Sequence, residues 1–142
     1  MSWFTFAWPY IGLAAGAGLA LLLAGDRLRS DRTVPRTQDL LWFAGAGTLA
    51  YIVHQFEEHG IDAAGAPYAF RGSLCATMGF TDAATCAIPY SFITAVNVAA
   101  VWLAGPLAMV LGRRRPALAL AFFAIPSVNL VAHLGPAIAA RA

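Results

Sequence analysis

The chain has 142 residues, 60% of them hydrophobic and only 11% charged, with nine arginines, no lysine and seven acids. That composition excludes an ordinary soluble domain and fits a single membrane domain. The net charge of +2 gives no reason to expect nucleic acid as a partner, because arginines beside apolar stretches are ordinary juxtamembrane charge.

The first apolar stretch runs from about Trp3 to Ala24. It has no basic segment before it, no Ala-x-Ala site directly before Asp26 and too much length for a signal-peptide core, so it reads as a retained span. Gly12, Ala15, Gly16 and Gly18 give it a small-residue face for close packing, which also leaves a homo-oligomer open. Arg27, Arg29, Arg32 and Arg36 follow. The second stretch, Leu40 to His59, carries Gly45 and Gly47 and ends on His54-Gln55-Phe56-Glu57-Glu58-His59.

A loop from Gly60 to Pro89 comes next, with short helices expected around Gly72 to Met78 and Thr81 to Ile88. Its aromatic residues suit a cap on the bundle or a segment on the membrane surface. Cys75 and Cys86 both lie in it and are candidates to pair in an oxidising compartment. The third stretch, Ile88 to Leu111, contains Asn97 and Pro106; Arg113, Arg114 and Arg115 separate it from the fourth, Ala117 to Ala140. Pro106 and Pro126 each remove a backbone donor and can kink their helices.

Each stretch offers about 20 residues, enough to cross a hydrocarbon core of ~30 Å. The expected fold is an all-α, four-helix transmembrane bundle in one domain, 1–142, with spans near 3–24, 40–59, 88–111 and 117–140. Seven of the nine arginines lie in the first and third connections. The arginine bias of cytoplasmic loops then places both termini and the Gly60–Pro89 loop outside the cytoplasm. Trp3, Trp8 and Tyr10 suit an aromatic belt on the outer side and Trp42 one on the inner side.

Ionisable groups in a bilayer are costly and usually mark function. His54, Glu57 and Glu58 stand at i, i+3 and i+4, which puts His54 beside both carboxylates. Asn129 and His133 share a face of the fourth helix in the same way, and the third helix contributes Asn97. At ~1.5 Å per residue, His54, Asn97 and His133 all fall within roughly 7–14 Å of the outer surface. Tyr51 lies one turn before His54, placed either to bond into the site or to pack beside it. Gln55 reads as incidental, and His59 as a bystander at the interface.

Three chemistries suit these residues. His54, Glu57, Glu58 and His133 form a ligand set for zinc, iron or manganese, with Asn97 and Asn129 supporting them or binding substrate. Such a centre activates water against a lipid-like, membrane-embedded substrate, as a hydrolase or oxidoreductase would. Without metal, Glu57, Glu58 and His54 form an acid–base set for isomerising or cyclising an isoprenoid or lipid. Haem between His54 and His133 ranks lower. A non-catalytic alternative makes the cluster a solvated helix end, with Asn97 and Asn129 as hydrogen-bond links between helices.

The run His54-Gln55-Phe56-Glu57-Glu58, followed by Asn97 and by Asn129-Leu130-Val131-Ala132-His133, resembles the HXXEE-domain family of small bacterial and archaeal membrane proteins. The resemblance implies a shared site and a prokaryotic inner-membrane location, and supplies no reaction. The ingredients are also similar to those of CAAX-type intramembrane metalloproteases, but Asp62 stands where their motif expects arginine and Asn129 precedes His133.

Overall fold

With no water to bond its backbone, an apolar segment must satisfy its own N–H and C=O groups, and helices do so. The computed structural model describes residues 2–62, 64–67 and 69–139; the side chains at 69, 83, 100, 132–137 and 139 are not among those described. Every regular element among these residues is helical, apart from an isolated bridge between Ile61 and Pro67. The helices are α1 (Phe4–Ala24), α2 (Leu40–His59), α3 (Ala69–Thr77), α4 (Tyr90–Asn97), α5 (Ala104–Gly112), α6 (Pro116–Phe122) and α7 (Ala124–Ala139). A π-helical turn, Val98–Leu103, joins α4 to α5 into one rod, Tyr90–Gly112.

Two helices, Phe4–Ala24 and Tyr90–Gly112, are long and apolar enough to cross a membrane, and Pro116–Val131 is a shorter apolar helix. α2 has the expected 20 residues, but its polar end dilutes its apolar character. The two breaks have a common cause. Proline offers no N–H to the carbonyl four residues back and its ring crowds it. For Pro126 that carbonyl belongs to Phe122, where α6 ends; for Pro106 it belongs to Trp102, inside the π turn.

The rods pack up and down. Trp42 Nε1 donates to Leu23 O at 3.2 Å near one end of the α1–α2 pair, and the Trp8 and His59 rings lie 5.4 Å apart near the other. Thr48 and Met109 bring α2 against α5. Small residues permit the closest approaches: a Cβ on Gly47 would stand 2.5 Å from the Phe123 ring, and one on Gly112 2.5 Å from Ala119 Cβ. Asp39 caps α2, accepting from the backbone N–H of Trp42 at 2.9 Å.

α3 folds back over the polar end of α2. Cys75 and Cys86 form a disulfide. Arg71, buried on α3, donates through Nε to Ile88 O at 2.8 Å and lays its guanidinium 4.3 Å from the Tyr90 ring centre. The connection is thus a pinned cap, with its helix at Ala69–Thr77 near the expected position. The second expected helix is only a short 3-10 turn, Ala83–Thr85.

Candidate functional site

The inward stripe of α2 is Leu41, Ala44, Gly45, Thr48, Tyr51, Ile52, Gln55 and His59. This three-and-four spacing is the signature of one helical face. His54 and Glu58 flank the stripe, and Glu57 lies about 200° around the axis from Gln55. The motif is therefore divided by helical geometry: Glu58 turns inward, while Glu57 is exposed. His54 engages Glu58, its Nε2 lying 3.3 Å from Oε1. Of the two carboxylates expected beside His54, the structure brings Glu58 to the imidazole and leaves Glu57 exposed.

His59 needs a larger correction. It is 1% exposed, so it is no interfacial bystander. Its ring packs against Trp8 of α1 at 5.4 Å and edge-on against Phe70 of α3 at 5.3 Å. Its Nε2 lies 3.5 Å from Glu58 Oε2 and 3.3 Å from Asn97 Nδ2. Gln55 is likewise not incidental. It is 2% exposed and donates from Nε2 to Asn97 Oδ1 at 2.7 Å.

Asn129 Nδ2 meets His54 Nε2 across 75 positions of sequence. The result is a continuous polar chain, Asn129–His54–Glu58–His59–Asn97–Gln55, running from α7 through α2 to α4. Each imidazole Nε2 stands between one Glu58 oxygen and one asparagine amide. When Nε2 is bare, the amide can donate to it; when Nε2 carries a proton, it can donate to Glu58. Glu58 thus stands within ion-pair distance of both imidazoles.

The His54–Asn129 end of this polar series opens. His54 lines a cleft of about 320 Å³ between α2 and α7, with Tyr51, Phe123, Pro126, Asn129 and Leu130 among its walls. The Tyr51 and His54 rings are 5.7 Å apart, so Tyr51 packs beside the imidazole. His59, further along the series, is enclosed by the rings of Trp8 and Phe70. The structure thus gathers His54, Glu58, Asn97 and Asn129, adds Gln55 and His59, and leaves Glu57 outside.

His133 is a helical position of α7, four residues after Asn129, and its side chain lies outside the described residues. Among the described residues no group of three or more His, Cys, Asp or Glu side chains stands ready to hold a metal ion. The inward stripe on α2 was the signal that could have found Gln55 and His59, since 48, 51, 52, 55 and 59 continue one face.

No curated protein and no solved structure matches the chain. A family described as protein of unknown function with HXXEE motif matches residues 46–142, about two thirds of the length, from within α2 past the end of α7. The match takes in His54, Glu58, Asn97 and Asn129 together, and the chain belongs to the HXXEE family.

Proposed function

We propose that the protein is an integral membrane enzyme that moves a proton on a lipid-like, membrane-embedded substrate, with His54 and Glu58 as its acid–base pair. One observation carries this reading: His54, backed by Glu58 and met by Asn129, faces a mainly apolar cleft. In such a site a neutral imidazole takes a proton from a carbon next to a double bond or carbonyl, and Glu58 stabilises the imidazolium. Returning that proton at the far end of the unsaturated system shifts the double bond with no net gain or loss. Asn129 orients His54, and Tyr51 shapes the wall beside it.

Deuterium labelling tests the reading without knowledge of the substrate. Purified protein incubated with a prokaryotic membrane lipid extract in heavy water should write deuterium into a particular lipid class, read by mass spectrometry. His54→Ala and Glu58→Gln should both abolish the label. Equal labelling by wild type and His54→Ala would sink the proposal.

A metal-dependent reading, as hydrolase or oxidoreductase, is favoured by one further observation. His133 follows Asn129 by one helical turn on the helix that reaches His54. With His54 and Glu58 it would complete a ligand set for zinc, iron or manganese. Stoichiometric metal in the purified protein, lost in both His54→Ala and His133→Ala, would establish this reading over the first.

We further infer four spans in a prokaryotic inner membrane, with the arginine-rich connections cytoplasmic. Both termini and the disulfide-closed connection then lie outside. The support is the placement of seven of nine arginines and a disulfide in the connection assigned to the oxidising side. A membrane-impermeant thiol reagent should label Ser2→Cys in intact cells and spare Thr33→Cys; the opposite pattern inverts the topology.

A further inference from the structure

α2 has a second cavity on its other flank. A groove of about 500 Å³ runs between α1, α2 and the Tyr90–Gly112 rod, away from His54. Its α1 wall extends from Ile11 to Leu22 and its opposite wall from Val101 to Arg113. Eleven and twelve helical steps make these walls about 16 and 18 Å long, close to one leaflet's half of a ~30 Å hydrocarbon core. Its walls are apolar except at Thr48, Trp102 and Arg113, and the arginine stands at the end beside the loops.

The charge at that end is unbalanced. In the first connection Asp26 pairs with Arg29 and Arg36, and Asp39 faces Arg29. Among the described residues no carboxylate lies within ion-pair distance of Arg113, Arg114 or Arg115. A more polar pocket of about 200 Å³ adjoins the groove, sharing Leu41 and Arg113 with it and adding Ser30 and Gln38. Asp31 and Asp39 also line this pocket. Both are already engaged: Asp31 accepts from Thr33, and Asp39 accepts from the N–H groups of Ser30, Asp31 and Trp42.

A leaflet-length apolar groove ending at a guanidinium that has no carboxylate within ion-pair distance among the described residues matches one ligand chemistry, a hydrocarbon chain bearing an anionic phosphate. Basic pockets between membrane helices recognise such headgroups, and guanidinium suits phosphate through paired hydrogen bonds. We propose that this groove binds an anionic phospholipid, with one acyl chain between α1 and α5 and its phosphate at Arg113. The site lies on the opposite flank of α2 from the His54 cleft and does not rest on the acid–base reading.

Native mass spectrometry of the full-length protein, taken from vesicles of equal parts phosphatidylcholine and phosphatidylglycerol, tests this. Wild type should retain one phosphatidylglycerol per chain under conditions that strip phosphatidylcholine. Arg113→Gln should lower that occupancy about fivefold, the effect of one interfacial cation, while Arg114→Gln, outside the groove, should keep most of it. Ala15→Phe should block the groove; if it does not fold, Leu22→Trp near the Arg113 end repeats the test. Equal retention of the two lipids, equal losses from Arg113→Gln and Arg114→Gln, or a blocked groove that still holds phosphatidylglycerol would each overturn the proposal.

Discussion

His54 and Glu58, one turn apart on α2, meet at 3.3 Å between Nε2 and Oε1, and Glu58 gives its other oxygen to His59. The two histidines of the motif are thereby coupled through a single carboxylate, while the neighbouring Glu57 is exposed. Glu58→Gln should therefore change the ring-nitrogen resonances of both His54 and His59 in protein carrying nitrogen-15 histidine. Glu57→Gln should leave them close to wild type. Equal perturbation by the two variants would remove Glu58 from its bridging place.

The two imidazoles should differ in what they contribute to stability. His59 is enclosed by Trp8, Phe70, Asn97 and Glu58, so His59→Ala leaves a cavity and strips two polar groups of a partner. A loss of about 2–3 kcal/mol is expected from such a change. His54 lines an open cleft, and His54→Ala should cost about 1 kcal/mol or less. Thermal melting in detergent distinguishes the two; a larger drop for His54→Ala would reverse the assignment of His59 as packing hub and His54 as reactive group.

The helices themselves were legible because their signals are local. Apolar runs of span length gave α1 and α2 within a residue or so of their ends, and Pro126 marked the α6–α7 break. Asn97 and Asn129 were legible as rare polar residues in apolar rods, and both join the chain. Helix rotation was harder to read. Spacing of i, i+3 and i+4 makes Glu57 and Glu58 equivalent neighbours of His54, and only the stripe through Thr48, Ile52 and Gln55 tells them apart. His59 continues that same stripe, but its full enclosure also needs Phe70, brought back by a connection whose path depends on the disulfide and the Arg71 contacts. No local pattern encodes that return.

The cleft depends on a glycine. Gly47 lies under the Phe123 ring, where an added Cβ would come within 2.5 Å of ring carbon, and Phe123 also stacks on Phe43 at 4.8 Å. Gly47→Ala should push the start of α7 away from α2 at a cost of about 1–3 kcal/mol. It should also break the Asn129–His54 contact without touching either residue. The check pairs melting with the nitrogen-15 signal of His54, and an unchanged His54 signal would show that α7 is held by other contacts.

Asp39 sets a pH limit at the opposite end of α2. Burial pushes its carboxyl up. The N–H groups of Asp31, Trp42 and Ser30, together with the Ser30 side chain, outweigh burial and hold it below the usual carboxylate value. A folded-state value below the unfolded one stabilises the folded form above about pH 4. That contribution is lost as pH falls through the lowered value. The protection factor of the Trp42 amide, its exchange rate corrected for the intrinsic pH dependence, should therefore fall on acidification in wild type. Asp39→Ala, which removes the cap, should exchange faster already at neutral pH and cost about 1–2 kcal/mol; a wild-type rate there would refute the capping role.

Cys75 and Cys86, eleven positions apart, tie the cap that carries Phe70 onto His59. Closing a loop of this size restricts the unfolded chain, and a stabilisation of about 2–3 kcal/mol is expected. The Cys75→Ser/Cys86→Ser double variant should melt lower by a corresponding amount, and a reductant should lower wild type towards it while leaving the variant unmoved. Because α3 is also held by Arg71 on Ile88 and Tyr90, the cap should loosen before the bundle opens. His59 would then gain solvent while His54 keeps its contact with Asn129. Nitrogen-15 histidine signals under reducing conditions should show His59 shifting more than His54, which feels the change only through Glu58, and an equal shift at His54 would mean that the cap and the α2–α7 cleft move as one unit.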